Sequence, residues 1–281
     1  MPIRTTKLRE MKEAGERIVC VTAYDFPTAR LVQQAGVPVV LVGDSLGNVV
    51  LGYDTTVPVT LDDMLHHTRA VVRGAPDLLI VADMPFMTFN VNADDALRNA
   101  GRLLQEGGAH AVKLEGGVPV AGTVRRLTEA GIPVMGHLGL TPQSVNQLGG
   151  YRVQGRTLAQ AQQLIEDADA LVAAGAFSIV LEMVPAELAR IVTRRLRVPT
   201  IGIGAGPDCD GQIQVLHDIL GFGTRTPKHA KLYADLNETI RAALEAYAQD
   251  VRDGRFPTDE HAVTIDDAVL HELLSSVEPA G

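Results

Sequence analysis

The sequence predicts a single α/β domain folded as a (β/α)₈ barrel, or TIM barrel, over residues 1–263. Short β-branched runs recur along the chain, and each is followed by polar or glycine-rich residues and a segment with helical spacing. The 281 residues are 46% hydrophobic and 21% charged, which is enough apolar material for one large core. No Ser/Gly repeat, proline-rich run or long block of like charge suggests a linker inside that domain.

Seven segments have the composition of buried strands, and an eighth is weaker. The seven are RIVCVTAYD (17–25), VPVVLVGDS (37–45), LLIVADMP (78–85), AHAVKLEGG (109–117), IPVMGHLG (132–139), FSIVLEMVP (177–185) and VPTIGIGAG (198–206). The eighth, VLHDILGF (215–222), also fits a helix. About eight βα repeats in one domain favour the barrel. A doubly wound open sheet is the alternative, although no GxGxxG motif follows the first strand.

The segments between these strands carry helix-capping signals. Thr60 is a candidate N-cap with Asp63 three residues later, and its helical segment runs to a glycine stop at Gly74. Glycines also end the helical segments at 94–108, 122–131 and 167–175. A helix, a glycine and then an apolar strand is the order of βα units in a parallel sheet.

Charge and cysteine content exclude several classes of function. The formal net charge is −9 and the basic residues are scattered, whereas a nucleic-acid partner normally requires a basic stripe. The two cysteines, Cys20 and Cys209, are far apart and lack CxxC spacing, which disfavours a disulfide framework or a zinc site. The N-terminus has no apolar signal region, and no apolar run reaches the ~18 residues of a membrane span. We therefore expect a cytoplasmic protein without a nucleic-acid or membrane partner.

Ionisable residues end five consecutive predicted strands, namely Asp44, Asp83, Glu115, His137 and Glu182. In barrels of this class the reactive groups lie at the carboxyl ends of the strands. Side chains two residues apart share a face of a strand, so we expect Val40 and Val42 to point into the barrel with Asp44 at its rim. The same alternation places Lys113 with Glu115, and Val180 with Glu182.

Three of these acids form a candidate metal site. Asp44, Asp83 and Glu115 lie on three consecutive strands, which are about 4.8 Å apart in a sheet, so their carboxylates can converge on one hard cation. Oxygen ligands favour Mg²⁺, with Mn²⁺ as a substitute, over zinc or copper. For any one acid alone, a helix N-cap or a solvated loop residue is the simpler interpretation. The regular placement of all three favours the metal.

The other ionisable residues leave two interpretations each. Glu182, partly desolvated at the end of the sixth strand, is a candidate general base, or the partner of a helix arginine such as Arg190. Lys113 would stabilise an enolate or a substrate carboxylate, or form a structural salt bridge to Glu115. His137 fits a hydrogen-bonded core histidine as well as a catalytic one. The GIGAG segment after the seventh strand fits a tight turn better than a phosphate cradle.

Longer motifs around these residues resemble the ketopantoate hydroxymethyltransferase family from about residue 3 to about residue 261. The motifs that carry the resemblance are VGDSLGNVVLGYDTTVPVTLDDMLHHTRAVVRGA, VADMPFM, AVKLEGG, GIPVMGHLGLTPQSVNQLGGYRVQGR and PTIGIGAGPDCDGQ. The resemblance implies a (β/α)₈ barrel of the phosphoenolpyruvate/pyruvate group and a homodecamer in the cytoplasm. It also implies transfer of a hydroxymethyl group from 5,10-methylenetetrahydrofolate to 3-methyl-2-oxobutanoate, in pantothenate biosynthesis, by Mg²⁺-assisted enolisation.

The resemblance also assigns roles to particular residues. It implies that Asp44, Asp83 and Glu115 bind Mg²⁺, and that Glu182 in VLE is the proton acceptor. The contacts to the 2-oxoacid would come from Asp44, Ser45, Asp83 and Lys113. Tyr24 in TAYD and His137 in GHLG match further pocket positions without a defined role.

The chain departs from the family pattern near its end. Residues 264–281 extend beyond the FPTDEHAV segment, with apolar residues at roughly helical spacing and Thr264 as a possible cap. This extension would pack on a neighbouring subunit or lie at the surface.

Two other functions compete with hydroxymethyl transfer. A Mg²⁺-dependent C–C lyase acting on 2-oxoacids would use the same barrel and metal, although the catalytic cysteine motif expected of such lyases is missing from the sequence. A non-catalytic barrel that senses a metal–oxoacid complex would give Glu182 no evident use.

Overall fold

The computed structural model describes residues 3–223 and 226–277 of the chain. Eight parallel strands pair in sequence order, and the eighth pairs with the first to close a barrel. The strands are β1 Ile18–Thr22, β2 Val39–Val42, β3 Leu79–Asp83, β4 Ala111–Glu115, β5 Val134–Gly139, β6 Ser178–Glu182, β7 Thr200–Ile203 and β8 Gly211–Gln214. The predicted (β/α)₈ barrel is therefore confirmed.

Ten α-helices accompany the eight strands within residues 3–223. They are α1 Thr5–Ala14, α2 Phe26–Gln34, α3 Leu46–Val49, α4 Leu61–Gly74, α5 Ala93–Gln105, α6 Val118–Glu129, α7 Val145–Leu148, α8 Leu158–Ala173, α9 Ala186–Arg195 and α10 Leu216–Leu220. The predicted start of α4 is confirmed, because the Thr60 hydroxyl and the Asp63 carboxylate form a capping box there.

The prediction for the eighth strand is wrong. Residues 215–222 contain helix α10, and the strand that closes the barrel is the preceding GQIQ segment, Gly211–Gln214. That segment is four residues long with glutamine at two positions, so it has no apolar run to mark it. Its glycine is required by packing, because a Cβ on Gly211 would lie 2.3 Å from the Ile18 carbonyl oxygen.

Alternate residues of the strands form two separate apolar layers. The inner layer fills the barrel with Ile18, Cys20, Val39, Leu41, Leu79, Val81, Ala111, Met135, Val180, Ile201, Ile203 and Ile213. The outer layer packs the intervening strand residues against the helices. Leu8 of α1 is fully buried in the inner layer, so α1 closes the barrel at the amino ends of the strands. The carboxyl ends remain available for a site.

The predicted face of β2 is wrong. Val40 and Val42 belong to the outer layer, and Val39 and Leu41 point into the barrel. Asp44 lies beyond the last paired residue of β2, in the turn that leads into α3, so strand alternation does not govern its direction. The alternation holds for β6, where Val180 is in the inner layer two residues before Glu182.

The chain separates after Tyr233 into two units. The second contains α11 Leu236–Arg252 and α12 Asp267–Val277, and neither helix has a buried residue. The division proposed from sequence, a barrel domain to residue 263 and an extension from 264, stays a prediction. Among the helices of residues 3–223 and 226–277, none is both long enough and apolar enough to cross a membrane.

Candidate active site at the carboxyl ends of the strands

The residues predicted for the site lie together at the carboxyl ends of consecutive strands. Asp83 ends β3, Lys113 and Glu115 are in β4, His137 is in β5 and Glu182 ends β6. Asp44 and Ser45 occupy the turn after β2, and Tyr24 follows β1. Asp44, Asp83, Lys113, Glu115 and His137 are all buried, each at most 6% exposed. Such a concentration of buried charge is rare outside functional sites.

A backbone N–H and the residue Gln143 connect the three predicted metal-binding residues. The Asp44 backbone N–H donates to Asp83 Oδ2 at 3.0 Å, which connects the ends of β2 and β3. Lys113 Nζ lies 2.9 Å from Asp83 Oδ1, so the salt bridge of this lysine is to Asp83 and not to Glu115, which was the structural alternative. Glu115 Oε2 accepts from the backbone N–H of Gln143 at 3.0 Å, while its Oε1 has no hydrogen-bond partner.

The electrostatics of this cluster favour a cation. Burial raises the pKa of Asp44 well above its usual range, and the nearby carboxylates of Asp83 and Glu115 raise it further. Burial also raises the pKa of Asp83, although Lys113 opposes the effect. Burial lowers the pKa of Lys113, but Asp83 and Glu115 outweigh it and the net shift is upward. One ammonium therefore faces three carboxylates. Glu182 and His137, which lie next to them, add one acid and one base, so the acids of the cluster still outnumber its bases.

His137 connects this cluster to Glu182. Its Nε2 lies 3.2 Å from Glu182 Oε2, and its Nδ1 lies 3.5 Å from Glu115 Oε1 and 3.1 Å from Lys113 Nζ. Burial and Lys113 lower the pKa of His137, but the two glutamates prevail and raise it to about 9. The Glu182 carboxylate contacts His137 rather than Arg190, which was the structural alternative. Its side chain is 16% exposed, so it borders the open end of the barrel.

The backbone around Glu182 is closely constrained. Its carbonyl oxygen accepts from the Leu140 N–H at 2.8 Å, and Met183 N–H donates to the Ile203 carbonyl at 2.9 Å. Met183 has φ of 48°, a left-handed conformation that few side chains adopt. Gly139 has φ of 91°, and a Cβ there would lie 2.2 Å from the Glu182 carbonyl oxygen. This glycine therefore allows the loop after β5 to approach Glu182.

Tyr24 and Ser45 form a hydroxyl pair at one side of the site. The Tyr24 hydroxyl lies 2.8 Å from Ser45 Oγ, and the ring is 1% exposed. Burial raises the pKa of the Tyr24 phenol, so it remains a neutral donor. Ser45 directly follows Asp44, so the pair can reach the same ligand as the carboxylates.

Two residues of the site were not predicted from the sequence. Gln143 donates from its side-chain amide to Asp44 Oδ2 at 2.8 Å and to the Met84 carbonyl at 2.9 Å. Tyr151 lies close enough for the charges of Glu182, Asp44 and Glu115 to add to burial in raising its pKa. Both lie in the long motif at 131–156, but no periodicity indicates which of its polar residues enter the site.

The three carboxylates fit a hydrated divalent cation better than a fully protein-ligated one. Across the described chain, no three His, Cys, Asp or Glu side chains are grouped as a ready set of metal ligands. Mg²⁺ usually keeps several waters and takes only one or two carboxylates from the protein. The excess of buried carboxylates over basic groups matches that mode of binding.

The closed barrel, with its ionisable residues at the carboxyl ends of the strands, places the protein among the (β/α)₈ barrels. A phosphonopyruvate hydrolase, solved with oxalate and Mg²⁺, is 15% identical with a TM-score of 0.60, covering 99% of this chain and 99% of that one. A 2,3-dimethylmalate lyase, described as a member of the PEP mutase/isocitrate lyase superfamily, is 20% identical with a TM-score of 0.57, covering 98% of this chain and 96% of that one. At these identities the likeness concerns the fold.

The sequence comparisons define the family. The ketopantoate hydroxymethyltransferase family matches residues 2–259. The 3-methyl-2-oxobutanoate hydroxymethyltransferase of Dehalococcoides mccartyi strain CBDB1 is 60% identical over 98% of this chain and 100% of its own. That of Chloroflexus aurantiacus strain J-10-fl is 58% identical over 100% and 99%. The chain belongs to the ketopantoate hydroxymethyltransferase family and is a transferase, which confirms the resemblance found in the sequence.

Proposed function

We propose that the protein transfers a hydroxymethyl group from 5,10-methylenetetrahydrofolate to 3-methyl-2-oxobutanoate, giving 2-dehydropantoate and tetrahydrofolate. The observation that carries this proposal is the position of Glu182, a carboxylate at the open end of the barrel connected through His137 to a buried anionic cluster. Such an arrangement suits removal of a proton next to a carbonyl group. The names of the 58–60% identical relatives support the choice of substrate.

In this proposal, Asp44, Asp83 and Glu115 hold Mg²⁺, with Mn²⁺ as a substitute. The support is the excess of buried carboxylates over Lys113, and the raised pKa of Asp44, which comes first from burial and then from the charges of Asp83 and Glu115. When bound, Mg²⁺ would supply Lewis-acid polarisation of the ketone oxygen, which makes the neighbouring C–H more acidic and is worth several kcal/mol.

The side chains around the cluster would bind and orient the 2-oxoacid. Lys113, held against Asp83 at 2.9 Å, places a positive charge where the carboxylate and keto oxygens of the substrate gather negative charge. Ser45 and Tyr24 present hydroxyl groups beside Asp44. Because Tyr24 is buried, its ring also keeps water from that side of the substrate.

Glu182 would take the proton from C3 of 3-methyl-2-oxobutanoate. His137 Nε2, 3.2 Å from Glu182 Oε2, orients the carboxylate that receives this proton. C3 then forms a bond to the methylene carbon of the folate as one of the two carbon–nitrogen bonds of that carbon breaks. The oxygen of one water molecule replaces the second nitrogen, so the other carbon–nitrogen bond breaks as well. The proton taken from C3 and the two hydrogens of the water end on the two folate nitrogens and the new hydroxyl group.

Solvent exchange of the C3 proton tests the base without the folate. In deuterated buffer with Mg²⁺, we expect Glu182→Gln to retain 3-methyl-2-oxobutanoate and Mg²⁺ binding while C3 exchange, followed by NMR, falls by about 10²–10⁴-fold. Glu129→Gln, a change of an exposed carboxylate at the end of α6, is the matched control and should exchange like the wild type. Exchange at the wild-type rate in Glu182→Gln would remove Glu182 from the reaction, and a chelator should abolish wild-type exchange.

The proposal also includes the cellular location and the oligomeric state of the enzyme. We place it in the cytoplasm, an assignment supported by its two free, buried cysteines, Cys20 and Cys209. From the family resemblance we propose a homodecamer. Analytical ultracentrifugation of the purified chain tests that number.

A further inference from the structure

The segment at residues 139–144, at the end of β5 and just after it, contacts residues at or next to the ends of four strands, β2, β3, β4 and β6. Gly139 turns the chain, Leu140 binds the Glu182 carbonyl, and a short 3₁₀ turn, Pro142–Ser144, then places Gln143 among the carboxylates. Gln143 is only 6% exposed although it lies outside every strand of the barrel. A buried amide in this position needs a role that a simple connecting loop does not explain.

Gln143 makes three hydrogen bonds to three strand ends. Its backbone N–H donates to Oε2 of Glu115, the last residue of β4, at 3.0 Å. Its side-chain Nε2 donates to Asp44 Oδ2 at 2.8 Å, after β2, and to the Met84 carbonyl at 2.9 Å, after β3. Both side-chain partners are acceptors only, which fixes the orientation of the amide group with Nε2 toward them.

The orientation leaves one polar atom of Gln143 unused. Its Oε1 is buried and has no hydrogen-bond partner. An unpaired buried acceptor costs about 1–3 kcal/mol, so it is normally satisfied when the site is loaded. Because Oε1 belongs to the same planar amide as Nε2, it lies beside the Asp44 contact, where a water of a hydrated cation would be placed.

We propose that Gln143 is a positioning residue of the metal site: it fixes the carboxylates of Asp44 and Glu115 relative to each other and accepts a hydrogen bond from the bound ligand sphere. Each held carboxylate gives one oxygen to Gln143, which leaves its other oxygen for the cation. The proposal rests on the proposed function, since it requires that these carboxylates bind a divalent cation. Residues that orient metal ligands typically change metal affinity by about 10–100-fold when replaced.

Gln143→Met tests the side chain alone, because any residue except proline keeps the backbone N–H that binds Glu115. We expect Mn²⁺, measured by the electron paramagnetic resonance of the free ion, to bind the variant about 10–100-fold more weakly than the wild type. The Mg²⁺ concentration for half-maximal C3 exchange should rise by the same factor, with a plateau near the wild-type rate. A purely structural role of Gln143 would not produce this selective shift.

Gln163→Met is the matched control. Gln163 on α8 also donates an amide N–H to an aspartate, Asp167 Oδ1 at 3.2 Å, but on the exposed surface. It should bind Mn²⁺ like the wild type. If Gln143→Met does not fold, Gln143→Asn retains the amide but is one methylene too short for both partners, and the same loss of affinity is expected.

The outcomes separate the two proposals. Wild-type protein that binds no Mn²⁺ would overturn the metal site itself, and with it the proposed function. Wild-type binding that is unchanged in folded Gln143→Met or Gln143→Asn would overturn only the assignment of Gln143.

Discussion

Each end of the barrel contains a lysine–aspartate pair, which is partly buried at the amino ends of the strands and buried at the carboxyl ends, and the two pairs differ in their balance. At the amino ends of the strands, Lys12 Nζ lies 2.9 Å from Asp210 Oδ2 and also donates to the carbonyls of Thr193 and Val198. Asp210 Oδ2 accepts in addition from the Thr200 N–H at 2.8 Å. One positive charge meets one negative charge, and the three protons of the ammonium all have acceptors.

The carboxyl ends of the strands contain the unbalanced pair. Lys113 contacts Asp83 at 2.9 Å, Asp44 is buried beside them without a salt bridge of its own, and the one imidazole of His137 serves both Glu115 and Glu182. Gln143 Oε1 has no hydrogen-bond partner. A satisfied, neutral network needs nothing from outside, whereas an unsatisfied anionic one is stabilised by a ligand. The first pair therefore supports the fold, and the second prepares a binding site.

Replacing each lysine by methionine should separate these roles most strongly. We expect Lys113→Met to slow C3 exchange by about 10²–10³-fold, because the charge next to the reacting oxygens is lost. It should also destabilise the metal-free protein by about 3–5 kcal/mol, since a buried carboxylate loses its partner. Urea unfolding and NMR exchange measure the two effects.

Lys12→Met is the companion variant at the other end. Removing the partner of Asp210, which is only partly buried, should cost about 2 kcal/mol of stability. The exchange rate per folded molecule should equal that of the wild type. A loss of exchange as large as that of Lys113→Met would contradict the distinction between the two ends.

Two glycines, one at each end of the barrel, have similar positive φ angles but different surroundings. At the carboxyl end, Gly139 has φ of 91° and its Cβ would lie 2.2 Å from the Glu182 carbonyl oxygen. At the amino end, Gly131 has φ of 85° and open space around it. We expect Gly139→Ala to cost about 3 kcal/mol, from backbone strain and displacement of Glu182, and to slow C3 exchange.

Gly131→Ala introduces a side chain at a positive φ but no close contact, because the space around Gly131 is open. It should cost about 1–2 kcal/mol in urea unfolding and leave C3 exchange unchanged. Equal losses of exchange in the two alanine variants would show that the loop after β5 does not position Glu182.

The contacts of His137 at the carboxyl ends of the strands predict how the free energy of unfolding depends on pH. Glu115 and Glu182 raise the pKa of His137 from its ordinary value of 6.5 to about 9 in the folded, metal-free protein. A raised pKa means that the stabilisation is complete below pH 6.5 and is lost as the pH rises through about 9. A shift of this size corresponds to about 3 kcal/mol.

Urea unfolding in the presence of a chelator, at intervals across that pH range, measures this loss. His137→Gln should remove it, because no proton is then taken up on folding at this position. His66→Gln, an exposed position on α4, should retain it. A wild-type profile that is flat over the range would contradict the assigned contacts of His137.

Much of this architecture could be predicted from the sequence, because its signals are local. β-branched runs and glycine stops identified seven strands, and the acids at the strand ends indicated the site. β8 was missed because GQIQ has no apolar run, and its pairing with β1 and β7 comes from closure of the barrel. The face of β2 was wrong because Asp44 lies in a turn, where alternation no longer applies.

The contacts that organise the site could not be predicted in the same way. Gln143 binds Asp44 and Met84, which are 99 and 59 residues away in the sequence. No period or cap signals such a contact, since it depends on where a loop crosses the closed barrel. The identity of the charged groups is thus a local property, while their pairing is a property of the fold.

The smallest expected effects on stability come from replacing one aspartate by asparagine at each end of the barrel, and these two effects should have opposite signs. Asp44→Asn removes one charge from a cluster whose burial and repulsion raise the pKa of that carboxyl above its ordinary value of 3.8. The penalty of the charged form grows as the pH rises above that value, so at pH 7 without metal the variant should be more stable than the wild type by about 1–2 kcal/mol.

Asp210→Asn makes the same chemical change at the balanced end. Its Oδ2 accepts from Lys12 and from the Thr200 N–H, and the loss of its charge weakens both bonds, so stability should fall by about 2 kcal/mol. Thermal unfolding of both variants with a chelator measures the two signs. Adding Mg²⁺ should then stabilise the wild type and Asp210→Asn more than Asp44→Asn, because only the last has lost a proposed ligand. Two asparagine variants with losses of equal size would mean that the cluster at the carboxyl ends, like the pair at the amino ends, is balanced without a cation.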